Sequence, residues 1–176
     1  MGRIQLYIAQ SLDGYIADAD GGVAWLEAFN VEGADHGYAA FLSDVAAVMM
    51  GGTTYAQVLS WDIGWPYEGL PTWVLTHREL PLPHVGDVRF AQGSVSAVVE
   101  EIERETDGNI WLVGGADLVR QFLEARLLDE LILFIAPVLI GSGTPLFGGA
   151  PPGDAKLVGT KEWGTGLVEL RYELER

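Results

Sequence analysis

The chain has 176 residues, a formal net charge of −15, a hydrophobic content of 49% and no cysteine. That length fits one domain spanning 1–176, and that hydrophobic content excludes a disordered chain. The charge argues against nucleic acid and anionic membranes as partners, while the missing cysteine removes disulfide, thiolate and Cys-based zinc chemistry and suits a cytoplasmic protein.

The opening stretch MGRIQLYIAQSLDG has neither the apolar length nor the small-residue cleavage site of a secretion signal. Leu6 stands where myristoylation needs Ser or Thr. No apolar run approaches the ~20 residues of a membrane span. Residues 3–9 read as a first strand, followed by the loop SLDGYIADADGG with turn signals at Asp13-Gly14 and Gly21-Gly22. Residues 34–43 predict a short helix with Tyr38, Phe41 and Leu42 on one side. VAAVMMGG (45–52) is a buried strand ending in glycines, and 53–59 a helix for which Thr53 is an acceptable cap. WDIGWPYEGLP is a loop rich in aromatics, glycine and proline.

Residues 72–78 and 87–91 read as strands. Ser94 can cap a helix in which Val95, Val98, Val99 and Ile102 recur at helical spacing. Residues 110–113 predict a strand, 116–126 a helix with the apolar face Leu118, Val119, Phe122 and Leu123, and 131–140 a long buried strand. A loop rich in glycine and proline leads to a closing antiparallel pair, 156–163 and 167–173. Alternating strands and helices, then strands alone, argue for a three-layer α/β/α domain with a mostly parallel mixed sheet and an antiparallel C-terminal edge.

Three strands end in polar or glycine-rich corners: Gly51-Gly52, Thr76-His77-Arg78 and Gly114-Gly115. Open α/β sheets bind ligands outside the carboxyl ends of their parallel strands. At two of these corners a helix follows at once, and a helix N-terminus offers unpaired N–H groups and partial positive charge to phosphate oxygens. Glycine lets such a ligand approach the main chain. The corners therefore read either as sites for a phosphate-bearing ligand or as tight strand-to-helix turns. VGGADLV lacks the spacing of the Rossmann fingerprint, and no P-loop is present. His36, His77 and His84 form no metal-binding pair, and LIGSGT is not a nucleophile elbow.

The segments LYIAQSLDGYIA (6–17), VMMGGTTYAQVL (48–59), TWVLTHR (72–78), IWLVGGADLVRQFL (110–123) and DELILFIAPVLIGSGTPLF (129–147) cover most of the chain. In that order they resemble the dihydrofolate reductase-like superfamily. Within it they resemble the bacterial reductases related to the C-terminal reductase domain of the bifunctional riboflavin-biosynthesis deaminase–reductase. The resemblance implies a dihydrofolate reductase-like fold, bound NADPH and a homodimer, for which the apolar stretch 127–140 could supply an interface. Gly114 and Gly115 would carry the close approach of backbone to cofactor, in dihydrofolate reductases through a cis Gly-Gly bond. Ala116, Asp117, Leu118 and Val119 would open the helix facing the pyrophosphate. Gly51, Gly52, Thr53 and Thr54 would form a second phosphate corner. Thr76, His77 and Arg78 would surround the adenosine ribose and its 2′-phosphate, and Ala9, Leu12, Gly14 and Ile16 would border the nicotinamide. The family pattern GRxT has arginine where this chain has Gly52. Its absence removes a bidentate phosphate partner and leaves Arg78 as the main candidate for the 2′-phosphate, unless Arg78 is a solvated surface residue.

The implied activity is NADPH-dependent hydride transfer to a small heterocyclic or carbonyl-type substrate, pterin- or pyrimidine-like. The alternatives are a 5-amino-6-(5-phosphoribosylamino)uracil reductase of riboflavin biosynthesis, or a nucleotide-binding module without turnover. Asp35 lies about where dihydrofolate reductases keep a carboxylate for the substrate, although an Asp at a helix start also caps. Asp13 belongs to the family motif and is equally a turn residue before Gly14. Trp25, Tyr38, Trp61, Trp65 and Tyr67 either line a flat substrate pocket or fill the core. No lysine or arginine occurs from Val23 through Val74, which argues against a substrate bearing a ribose phosphate.

Overall fold

Residues 45–51 carry buried apolar side chains on both sides: Ala47 and Met49 pack into one cluster, Val48 and Met50 into another. A strand of that kind needs cover on both faces of its sheet. The computed structural model, which describes residues 2–175, supplies it. The strands are β1 (Ile4–Ser11), β2 (Tyr15–Asp18), β3 (Val45–Gly51), β4 (Thr72–Leu75), β5 (Val88–Ala91), β6 (Asn109–Gly114), β7 (Glu130–Ala136), β8 (Gly143–Pro145), β9 (Ala155–Glu162) and β10 (Val168–Leu174). The helices are α1 (Tyr38–Leu42), α2 (Gly52–Ser60), α3 (Val95–Glu105) and α4 (Ala116–Glu124), with a 3₁₀ turn at Ala24–Phe29.

Eight strands form one sheet in the order β5-β4-β3-β6-β1-β7-β10-β9. Pairing is parallel from β5 through β7, and β10 runs antiparallel to both β7 and β9. Helices α3 and α4 cover one face through Val95, Val98, Val99, Ile102, Leu118, Val119 and Phe122. Helices α1 and α2 cover the other through Phe41, Tyr55 and Val58. The expected three-layer mixed sheet with an antiparallel C-terminal edge is the observed architecture.

Boundaries move for local reasons. β7 ends at Ala136 rather than 140 because Pro137 brings no N–H to the ladder. The helix read over 34–43 shrinks to Tyr38–Leu42, since His36 and Gly37 both take positive φ (50° and 77°). β4 stops at Leu75 because the Thr76 hydroxyl accepts the Arg78 amide at 3.0 Å and turns the chain. The antiparallel pair β2–β8 forms where only loops were expected. The apolar stretch 127–140 is consumed inside the chain: Leu128, Leu131 to Phe134 and Ala136 are buried, and Leu139 is the large apolar side chain left well exposed. Among the described residues no helix is long and apolar enough to cross a membrane.

Candidate coenzyme cleft

Parallel pairing brings the carboxyl ends of β4, β3 and β6 side by side, with Met50 opposite Gly114 and Gly51 opposite Leu75. The glycine corners therefore adjoin. A Cβ on Gly51 would stand 3.9 Å from both the Gly114 carbonyl oxygen and the Gly115 nitrogen. A cleft of about 450 Å³ opens over these strand ends. It is lined by Ile16, Gly51, Gly52, Thr53, Thr54, Thr76, His77, Gly115, Ala116, Asp117 and Leu118, which the sequence had grouped from four separate segments. The Gly114–Gly115 peptide is cis.

Of the four α-helices, α3 alone has a side-chain cap, while the short α1 lacks one as the two that open here do. α3 begins at Ser94, whose Oγ accepts the Ala97 amide at 3.3 Å. α2 and α4 begin at Gly51 and Gly115, and neither has a side-chain cap, so Thr53 is not the cap its position suggested. Two helix N-termini without side-chain caps thus meet one cavity, an arrangement suited to anionic oxygens. Gly52 and Gly115 keep it open: a Cβ on Gly52 would lie 2.5 Å from Thr76 Oγ1, and one on Gly115 would lie 3.2 Å from Thr54 Oγ1. Among the described residues no lysine or arginine lines the cleft. Its carboxylate, Asp117, is bonded to Arg120 and Gln121, and these bonds hold its carboxyl below the usual range.

Sequence reasoning missed Ala17, Gly21, Gln57, Leu75, Gly93, Gln121 and Thr144 in the lining. Gly93 carried a usable signal, because it follows β5 and precedes α3 in the same strand–glycine–helix order as the other corners. Gln57 and Gln121 lie one helical turn beyond Thr54 and Asp117, on the same faces. Gln57 also donates to the Gly21 carbonyl at 2.8 Å, fastening the loop after β2 over α2. Thr144 comes from β8, which the sequence did not reveal.

Other expected residues fall elsewhere. Val119 points into the core at 0% exposure, and its amide bonds the Gly115 carbonyl inside the helix, so it offers the cleft nothing. Ala9 lies on the opposite sheet face with Trp25 and Tyr38, all three packed against the α1–α2 core cluster. Leu12 is exposed and Gly14 sits at a positive-φ turn, both outside the cleft lining. Arg78 is exposed beside His77 but does not line the cavity. Trp61 is partly solvent-facing at 44% exposure. Trp65 is a core residue, packed edge-on to Tyr55 and Tyr67 and seated against Gly86, whose absent Cβ would lie 2.5 Å from its ring. Tyr67 is likewise buried, and burial pushes its phenol well up.

The two carboxylates expected near the chemistry have structural partners. Asp35 accepts the Gly37 and Ala39 amides at 3.0 and 3.3 Å, which shapes the entry to α1 and holds its carboxyl below the ordinary value. Asp13 accepts the Ser11 hydroxyl at 2.6 Å and the amides of Ile140 and Gly141 at 3.1 and 2.7 Å. The Ser11 bond first, then the two amides, lower its carboxyl as well.

The RibD C-terminal domain family model matches residues 65–168. The chain is similar to the uncharacterized protein YwjB of Bacillus subtilis (strain 168), with 38% identity over 169 residues and 95% of each chain covered. Among solved structures it is similar to a putative riboflavin biosynthesis protein from Shewanella sp. PV-4, with TM-score 0.88, 30% identity and 100% of both chains covered. A dihydrofolate reductase from Enterococcus faecalis complexed with NADP(H) shares the fold, with TM-score 0.65 and 14% identity over 99% of this chain and 98% of that one. The three-layer sheet described above is thus of the dihydrofolate reductase-like type.

Proposed function

Because this chain belongs to the RibD C-terminal domain family, we propose that it is an NADPH-dependent reductase of a small, uncharged heterocycle of pyrimidine or pterin type. The observation that carries this reading is the pair of glycine corners at one cleft, each opening a helix without a side-chain cap. The coenzyme would supply the hydride, and the protein supplies binding and orientation.

The main-chain amides at the start of α2 and α4 would bind the diphosphate oxygens. Gly52 and Gly115 leave the approach free of side chains, and the hydroxyls of Thr53 and Thr54 add donors on the same wall. Ile16, Ala17 and Thr144 close the cleft at the β2–β8 end, where an apolar wall would shield the reacting ring from water. His77 and Gly93 mark the other end, beside the sheet edge, which suits the adenosine. The lack of lysine and arginine from Val23 through Val74 favours a substrate without a phosphate group.

A nucleotide-binding module without turnover is the second reading, favoured by the structural engagement of both Asp13 and Asp35. Fluorescence titration with NADPH, followed by reduced-nicotinamide absorbance with pterins and pyrimidines added, separates the two. Binding with coenzyme oxidation supports the reductase; binding without oxidation by any of them supports the module.

A further inference from the structure

Tyr7, Tyr38, Tyr55 and Tyr67 all pack on the sheet face covered by α1 and α2, and the fold treats them in two ways. Tyr7 Oη donates to the His36 carbonyl at 3.3 Å, and Tyr55 Oη donates to the Pro81 carbonyl at 2.6 Å. The hydroxyls of Tyr38 and Tyr67 have no partner among the described residues, although Tyr67 is only 7% exposed. Both rings stand edge-on to Trp111, at 5.8 and 5.3 Å. Burial first, then the neighbouring Tyr38 hydroxyl, pushes the Tyr67 phenol well up, so it keeps its proton at neutral pH. Trp25 Nε1, in the 3₁₀ turn packed on the same cluster, is also buried without a partner. Unpaired buried polar groups oppose folding, and their gathering on one face calls for a ligand.

The tyrosine pair lies near the glycine corner of the cleft. Trp111, which both rings touch, precedes Gly114 on β6 by about 10 Å of strand. β6 stops at Gly114, beside Ile8, whose Cδ1 lies 3.5 Å from where a Cβ on Gly114 would stand. β1 continues to Ser11, so past Gly114 it has no β6 neighbour. A ring held by the tyrosines and a coenzyme over the strand ends can meet at that break in the sheet. Tyr38 is half-buried and gives the pair its side toward solvent.

We propose that Tyr38 and Tyr67 form the polar edge of the substrate site and select a neutral, planar heterocycle that carries a lactam group. A phenol both donates and accepts, so two adjacent ones match the N–H and C=O of a lactam, one accepting and the other donating. The walls are aromatic, which suits a flat ring. The segment from Val23 through Val74, which holds both tyrosines, has no lysine or arginine, and a buried charge without a partner is costly, so the ligand is uncharged. This inference rests on the reductase reading above and narrows its substrates from heterocycles in general to lactams.

The test is calorimetric titration of the chain saturated with NADP⁺, which prevents turnover. The probes are the lactams pterin and isocytosine, and their analogues without the carbonyl, 2-aminopteridine and 2-aminopyrimidine. The wild type is expected to bind at least one lactam more tightly than its analogue. Tyr38→Phe and Tyr67→Phe should each weaken that lactam by about tenfold, the scale of one hydrogen bond, and leave the analogue and NADP⁺ unchanged. Without ligand, Tyr67→Phe should melt no lower than the wild type, because its hydroxyl has no bond to lose. Tyr55→Phe, which loses the bond to Pro81, should melt lower. Equal weakening of lactam and analogue by the tyrosine variants would mark a merely structural role and overturn the proposal. So would an unchanged preference in Tyr38→Phe, which also stands if Tyr67→Phe fails to fold. A wild type that binds the coenzyme but none of the lactams overturns this inference alone, and one that binds no coenzyme overturns the coenzyme reading with it.

Discussion

Thr54 Oγ1 lies 3.2 Å from the point where a Cβ on Gly115 would stand, so the starts of α2 and α4 converge on a single gap. Gly115 has an extended backbone that other residues adopt (φ −80°, ψ −164°), and Thr54 is a side chain that can give by a few tenths of an ångström. On the coenzyme reading proposed above, glycine here answers to what enters the cleft more than to the fold. Gly115→Ala is expected to remain folded, with a thermal midpoint near that of the wild type, and to weaken NADPH binding by about tenfold. Titration of both proteins beside their melting curves checks this; undiminished affinity would remove Gly115 from the coenzyme path.

Asp35→Asn tests whether that carboxylate takes part in the chemistry. Asparagine caps about as well as aspartate, and its one carbonyl oxygen keeps the shorter bond, that from the Gly37 amide, while the bond from Ala39 is lost. The variant is expected to keep kcat within about twofold of the wild type, a change far below the ~10²-fold loss of a general acid. A hundredfold fall in kcat at an unchanged melting temperature would give Asp35 the catalytic role its sequence position suggested.

Asp13 ties the loop after β1 to the loop after β7, through the amides of Ile140 and Gly141. Its folded pKa is lowered, so the stabilisation is present above the unfolded carboxylate range near 4 and is lost as pH falls through the folded value. Asp13→Ala should melt below the wild type at pH 7, and the gap between the two should close as the pH is taken down into the acid range. A gap that stays constant with pH would mean that the ionised carboxylate contributes nothing.

Trp65 is 6% exposed and packs against Tyr55 and Tyr67. Trp65→Ala is expected to cost about 3–5 kcal/mol of stability, measured by urea unfolding. Trp61→Ala, at a residue 44% exposed, should cost well under that. Similar losses at the two sites would contradict the placement of Trp65 in the core.

The glycine corners were legible because a strand, a glycine pair and a helix follow one another without a break, over 45–60 and 109–124, and each leaves a local mark on the sequence. The core faces of α3 and α4 were legible for the same reason, since Val95, Val98, Val99 and Ile102 repeat at helical spacing. That periodicity already placed Val119 on the apolar face, and the structure keeps it there rather than at the ligand. What remained hidden depends on distant partners. β2 and β8 have four and three residues and pair across more than a hundred positions, so neither carries a periodicity of its own. The role of Asp13 depends on amides at 140 and 141, and the burial of Trp65 depends on the missing Cβ of Gly86. In a single sequence, each of these residues looks like a turn or an exposed aromatic.

The most direct test is a crystal structure of the chain grown with NADPH. The account predicts density for the diphosphate between the amides at the start of α2 and those at the start of α4, with the adenosine end beside His77. Coenzyme bound elsewhere, or a cleft holding only solvent at saturating NADPH, would contradict it.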